Sequence, residues 1–182
     1  MSLRKTIQNF TGALVVAVGL VGLHAAPASA QDVDVAAVRT LYYNASGAAE
    51  FKAAVDKGAQ VWNANVVNVK LVPRATAANI TIVADNGWPR AQPTSLGNGR
   101  VWMGRQATAE GHDAVRIAAH ELGHILGLPD RKPGPCTSLM SGSSAGTSCK
   151  NPVPNAAEKA EVERNFRNGL AAAKVWNMEF VG

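Results

Sequence analysis

The segment that most restricts the fold of this chain runs His120-Glu121-Leu122-Gly123-His124-Ile125-Leu126-Gly127-Leu128-Pro129-Asp130. Residues four apart share one face of an α-helix, so His120 and His124 can present two imidazole nitrogens to one point. Two imidazoles with a carboxylate are costly to bury on a helix that packs against a sheet, unless something pairs with them. Zinc takes nitrogen ligands at about 2.0–2.1 Å in tetrahedral geometry, and a catalytic site uses three protein ligands and keeps one position open. The fold must therefore contain a helix ending near residue 126, then a reversal that returns a third ligand.

Gly127 supplies the reversal. A glycine at this place can adopt positive φ and close the helix with a left-handed cap. Pro129 stiffens the return, and Asp130 arrives six residues after His124 with a carboxylate able to bind zinc. His112 is the competing third ligand. It lies eight residues before His120, about two helical turns away, so helix geometry favours Asp130. Glu121 follows the first histidine and is placed to act on water rather than on the metal. As general base it would take a proton from water acidified by zinc and hand it to the leaving amine.

Ahead of this segment the chain opens with Arg4 and Lys5, an apolar run over 12–23 and Ala28-Ser29-Ala30. That is the pattern of a secretory signal peptide over 1–30, and the apolar run is too short to span a bilayer. The mature chain would be 31–182, one domain in length, with a short pro-segment at its start left open. The full chain has 18 Lys+Arg and 13 Asp+Glu; loss of Arg4 and Lys5 with the leader lowers the net charge from +5 to +3. The remaining basic residues are scattered, which argues against nucleic acid or membrane as a partner. Protein or peptide substrates and a secreted, extracellular monomer are expected. Cys136 and Cys149 are the only cysteines; outside the cell they are expected to pair as a disulfide.

The rest of the pattern predicts a strand over 35–43 and a helix over about 47–64 capped by Ser46. In that helix Phe51, Val55 and Trp62 share a face. Strands are expected over 66–72, 79–84 and 100–103. The Gly-, Pro- and Asn-rich stretch 85–98 reads as a loop. Asp113 caps the helix over 114–126. Asn155 with Glu158 forms a capping box for a last helix, on which Val162, Phe166 and Leu170 are spaced by four. The layout is that of an α/β or α+β domain, a twisted sheet with helices packed on it.

H-E-x-x-H-x-x-G-x-x-D resembles the metzincin clan of zinc peptidases, and the final aspartate resembles the snapalysin family of small secreted neutral proteases. Leu139-Met140-Ser141-Gly142 is similar to the clan's Met-turn. Cys136 and Cys149 flank that turn as the family's disulfide does. The resemblance implies a single-domain zinc metalloendopeptidase with a mixed, mostly parallel sheet and Met140 as a hydrophobic floor below the metal. It also implies an aromatic residue after the cleaved bond, received by a pocket walled by 137–148, and a sheet edge that pairs with extended substrate. Residues 79–84 and 100–104 are candidates for that wall. Calcium is a further implied cofactor, with Asp113 at one ligand position and the carbonyl of Val115 at a second; plain capping by Asp113 is the competing reading. The chain departs from the pattern at Gly142, where some metzincins carry tyrosine, and at Arg131-Lys132, where snapalysins can carry an aromatic residue. Metal chemistry alone also admits a hydrolase of another amide, such as a cell-wall cross-link, or a binding module with structural zinc.

Overall fold

In the computed structural model the described residues are 37–167. The signal peptide expected over 1–30, the start of the mature domain, Leu170 and the C-terminal tail lie outside them. Alternation of apolar residues builds the sheet. Leu41, Tyr43 and Ala45 are the buried positions of β1 (Arg39–Gly47), and Val69 and Leu71 those of β2 (Val69–Pro73). Ile80 and Ile82 do the same for β3 (Ile80–Asp85), and Val101 and Met103 for β5 (Asn98–Gly104). With β4 (Arg90–Ser95) these make a five-stranded sheet in the order β2-β1-β3-β5-β4. All neighbours are parallel except β4 and β5. The expected α/β domain with a mixed, mostly parallel sheet is what the chain forms, and its described residues fall in one unit.

Two helices bring the motif to the sheet. Helix α1 (Lys52–Asn65) buries Val55, Ala59 and Trp62, and α3 (Ala114–Ile125) is buried almost throughout from Ala118. They pack very closely. A Cβ on Gly58 would lie 2.9 Å from the backbone nitrogen of Ala119, and Trp62 Nε1 donates to the Ala119 carbonyl at 2.8 Å. The shorter α2 (Arg105–Ala109) precedes α3, and α4 (Ala156–Asn165) closes the described chain. Asn155 and Glu158 form the expected capping box, and Val162 and Phe166 are fully buried.

Three local expectations are corrected. Ser46 caps no helix: β1 continues to Gly47 because its pairing with β3 reaches Gly47↔Val83, and a 3₁₀ turn over Ala49–Phe51 leads into α1 instead. The stretch 85–98 is not all loop, since Arg90–Ser95 is strand β4, joined to β5 through Leu96-Gly97 with Gly97 at φ 82°. Its polar sequence and Pro93 hid it, and both are tolerated because it lies at the sheet edge. It follows that neither 79–84 nor 100–104 is an edge. β3 and β5 are interior, and β4 is the edge strand on that side.

Candidate metal centre

Asp113 starts the helix that carries the site, its carboxylate accepting from Arg116 N at 2.8 Å. That contact is a helix N-cap, and among the described residues Asp113 belongs to no group of three side chains able to hold a cation. At the other end, Gly127 sits at φ 93°. Leu128 N bonds Gly123 O at 3.0 Å and Gly127 N bonds His124 O at 2.9 Å, the crossed pair of a Schellman ending. This closure turns the chain at the predicted residue and returns Asp130 to the helix face.

His120, His124 and Asp130 are brought together, and their ligand atoms all lie within 4.8 Å of one another. His120 Nε2 and His124 Nε2 are 3.2 Å apart. Asp130 Oδ1 lies 3.2 Å from the first and 3.6 Å from the second. A tetrahedral ion with bonds of about 2.0–2.1 Å separates its ligands by about 3.3–3.4 Å, so the three edges fit one ion. The tautomers fit as well. His120 Nδ1 faces the Leu139 carbonyl at 3.1 Å, and His124 Nδ1 faces the Leu128 carbonyl at 2.9 Å. A carbonyl only accepts, so each Nδ1 carries the proton and each neutral ring turns an Nε2 lone pair inward. Asp130 Oδ1, buried, receives no hydrogen bond there. Lone pairs converging in a buried place call for a cation. His112, the competing ligand, instead packs edge-on against Trp88 with centroids 5.7 Å apart.

The electrostatics set the two rings apart. Burial pushes the His124 pKa down to about 4, so its ring stays neutral at ordinary pH. Burial also opposes charge on His120, but the carboxylates of Asp130 and Glu121 beside it outweigh burial and move its pKa up, so without a cation this ring takes a proton more readily than His124 does. Asp130 is held down to about 2: burial works against its charge, and the two histidines and Lys132 more than compensate. Glu121, buried with Oε2 unpartnered, is pushed up to about 7, chiefly by desolvation.

Beside Glu121 opens a cleft, partly open to solvent, lined by Trp88, His112, Ile117, Glu121, Lys132 and Gly142 among others. Lys132 Nζ pairs with Asp130 Oδ2 at 3.1 Å, leaving Oδ1 for the imidazoles. Gly142 is at φ 54°, and a Cβ there would meet Lys132 Cε at 2.7 Å and His120 Cε1 at 3.2 Å. The two departures noted in the sequence thus belong together, since the missing side chain at 142 leaves space that Lys132 and His120 use. Met140 is fully buried next to the helix; a Cβ on Gly123 would come within 2.8 Å of its sulfur. Cys136 and Cys149 are bonded, with Cα atoms 5.5 Å apart, and their loop carries Met140.

Three side chains at this site escaped the sequence reading. Arg116 donates to the carbonyls of Ser138 and Asn151 and to Ser141 Oγ. Glu158 accepts from the backbone of Leu139 and Met140. Lys132 was read only as a departure. Glu158 alone left a local signal, its capping box, which pointed to its own helix and not to the loop.

The order of these elements and this site can be compared with known proteins. The chain is 41% identical over 137 residues to an extracellular small neutral protease of Streptomyces sp. (strain C5). It is 37% identical over 140 residues to one from Streptomyces lividans, and 39% identical over 131 residues to one from Streptomyces caespitosus. These alignments take in 74%, 76% and 71% of this chain; they span 59% and 61% of the first two relatives and 98% of the third. Residues 37–169 match the family described as Streptomyces extracellular neutral proteinase (M7), which takes in the sheet, the helix with its glycine reversal and the Met140 loop. With most of its length matched by that family and its relatives near 40% identity, this chain belongs to the M7 family of extracellular neutral proteinases.

Proposed function

We propose that this protein is a secreted, zinc-dependent endopeptidase. The observation that carries the reading is the buried triangle of His120 Nε2, His124 Nε2 and Asp130 Oδ1, with edges suited to one tetrahedral ion and the unpartnered carboxylate of Glu121 beside it. Zinc held there supplies Lewis acidity to a peptide carbonyl and to water. The protein's own groups do the rest. The carbonyls of Leu139 and Leu128 keep both rings in the ligating tautomer. Glu121, whose pKa is near neutrality, takes the proton of the attacking water and passes it to the leaving amine. Strand β4 offers its free edge to an extended substrate. The cleft between Trp88 and Gly142 takes the side chain after the cleaved bond, and its Trp88 and Ile117 walls suit an aromatic residue.

Structural zinc would need a fourth protein ligand. Among the described residues the cluster has three, and both cysteines are committed to the disulfide. That the relatives bear the name extracellular protease supports peptide substrates and export. Among the described residues no helix is long and apolar enough to cross a membrane. The test is zinc content measured together with cleavage-site mapping on a mixed peptide library. About one zinc per chain and cuts before aromatic residues are expected. A chain that takes up no zinc, or a chelated chain that still cleaves, ends the proposal.

A further inference from the structure

Glu158 belongs to α4, 38 residues beyond His120, yet its buried carboxylate is bound mainly to another part of the chain. Oε1 accepts from Ser138 Oγ at 2.7 Å and from Met140 N at 2.9 Å. Oε2 accepts from Leu139 N at 3.2 Å and from Asn155 N at 2.7 Å. Of these four bonds only the last serves the capping box. The 3₁₀ turn that begins at Leu139 has no side-chain cap of its own. The first donors of a helical turn have no partner within it, and here Glu158 supplies one from a different helix. From the opposite side Arg116, also buried, donates to the carbonyls of Ser138 and Leu139 and to Ser141 Oγ. Residues 138–141 are therefore gripped by a carboxylate on their amide side and by a guanidinium on their carbonyl side.

The gripped peptide is the one that orients a metal-centre imidazole. The Leu139 carbonyl receives the His120 Nδ1 proton at 3.1 Å, and the amides on either side of that carbonyl, Leu139 N and Met140 N, both end on Glu158. We infer that Glu158 is a positioning residue for the metal centre, holding the Leu139 carbonyl under His120 so that Nε2 faces the ion. The inference rests on the proposed zinc site. Partners of this kind behind a ligand alter metal affinity by about 10–100-fold when removed. Glu158 acts one peptide further out, so a loss near the lower end of that range is expected.

The experiment compares Glu158→Gln with Val162→Ala in the full purified chain. Val162 is fully buried on the same helix and, being apolar, makes none of the hydrogen bonds that Glu158 makes to residues 138–140. Glutamine keeps the shape but turns an NH₂ toward backbone donors. Zinc affinity is read by chelator competition, and the His120 Nδ1 proton by NMR. Glu158→Gln should weaken zinc binding by about tenfold and shift the His120 signal or speed its exchange. Val162→Ala should lower the melting temperature and leave zinc affinity as in wild type. Glu158→Gln binding zinc within about twofold of wild type overturns the inference, as does an equal loss in Val162→Ala. If Glu158→Gln does not fold, Ser138→Ala removes one bond of the four; weaker zinc binding supports the clamp and unchanged binding overturns it. A wild-type chain that takes up no zinc defeats the metal reading itself, which separates the two failures.

Discussion

Replacing Glu121 with glutamine should shift the stability of the metal-free protein in a pH-dependent way while abolishing activity. Burial raises the Glu121 pKa from 4.5 to about 7 in the folded chain. A carboxyl raised in this way binds its proton more tightly when folded. It contributes stability below its unfolded value of 4.5, and that contribution is lost as pH rises through about 7. Integrated over that interval, the wild-type carboxylate costs about 3 kcal/mol at pH 7.5 but under about 1 kcal/mol at pH 5. Glutamine does not titrate, so it escapes this cost. Its amide leaves polar atoms without partners, at about 1–3 kcal/mol, but that penalty is the same at both pH values and drops out of their difference. Urea unfolding in chelator should therefore find Glu121→Gln about 2 kcal/mol better relative to wild type at pH 7.5 than at pH 5. With zinc restored, the variant should keep the metal and lose peptide hydrolysis. An identical stability difference at both pH values would show that Glu121 is not a desolvated carboxylate. Full activity would remove it as the base.

Asp130→Asn should weaken zinc binding by more than about 100-fold by chelator competition, because it takes the charge from the third corner of the ligand triangle; unchanged affinity would require another ligand. Cys136→Ser with Cys149→Ser opens a loop of sequence separation 13. Chemical denaturation should show a loss of about 3 kcal/mol, with zinc stoichiometry retained because no cysteine belongs to the cluster. Gly123→Ala drives a Cβ to within 2.8 Å of Met140 Sδ and 3.2 Å of Trp62 Cζ2. It should cost about 1–3 kcal/mol by the same measurement, and a neutral result would mean that Met140 moves freely.

How far the sequence could be read depended on how far apart the interacting residues are in the chain. His120 and His124 share a face because of helical periodicity, and Gly127 ends the helix because only three or four residues are involved. The same reasoning located the caps Asp113 and Asn155, and β-branched content marked the runs that became β2 and β3. Ser46 failed as a cap because its fate was set by pairing with β3, about 35 residues further on. β4 failed because only one residue of its six is buried, so no alternation was visible; the antiparallel register with β5 made it a strand. That placement decided which strand is the edge.

The sequence by itself determined the local arrangement on which the proposed metal centre rests: two imidazoles, a returning carboxylate and the glutamate beside them, each placed by contacts within eleven consecutive residues. The tertiary structure decided what surrounds them. It brought Lys132 onto the spare oxygen of Asp130, turned His112 to Trp88, and closed Arg116 and Glu158 around the Leu139 peptide. Local geometry follows from backbone periodicity, whereas these pairings join residues whose distance along the chain says nothing about their separation in space until the sheet order and helix packing are fixed.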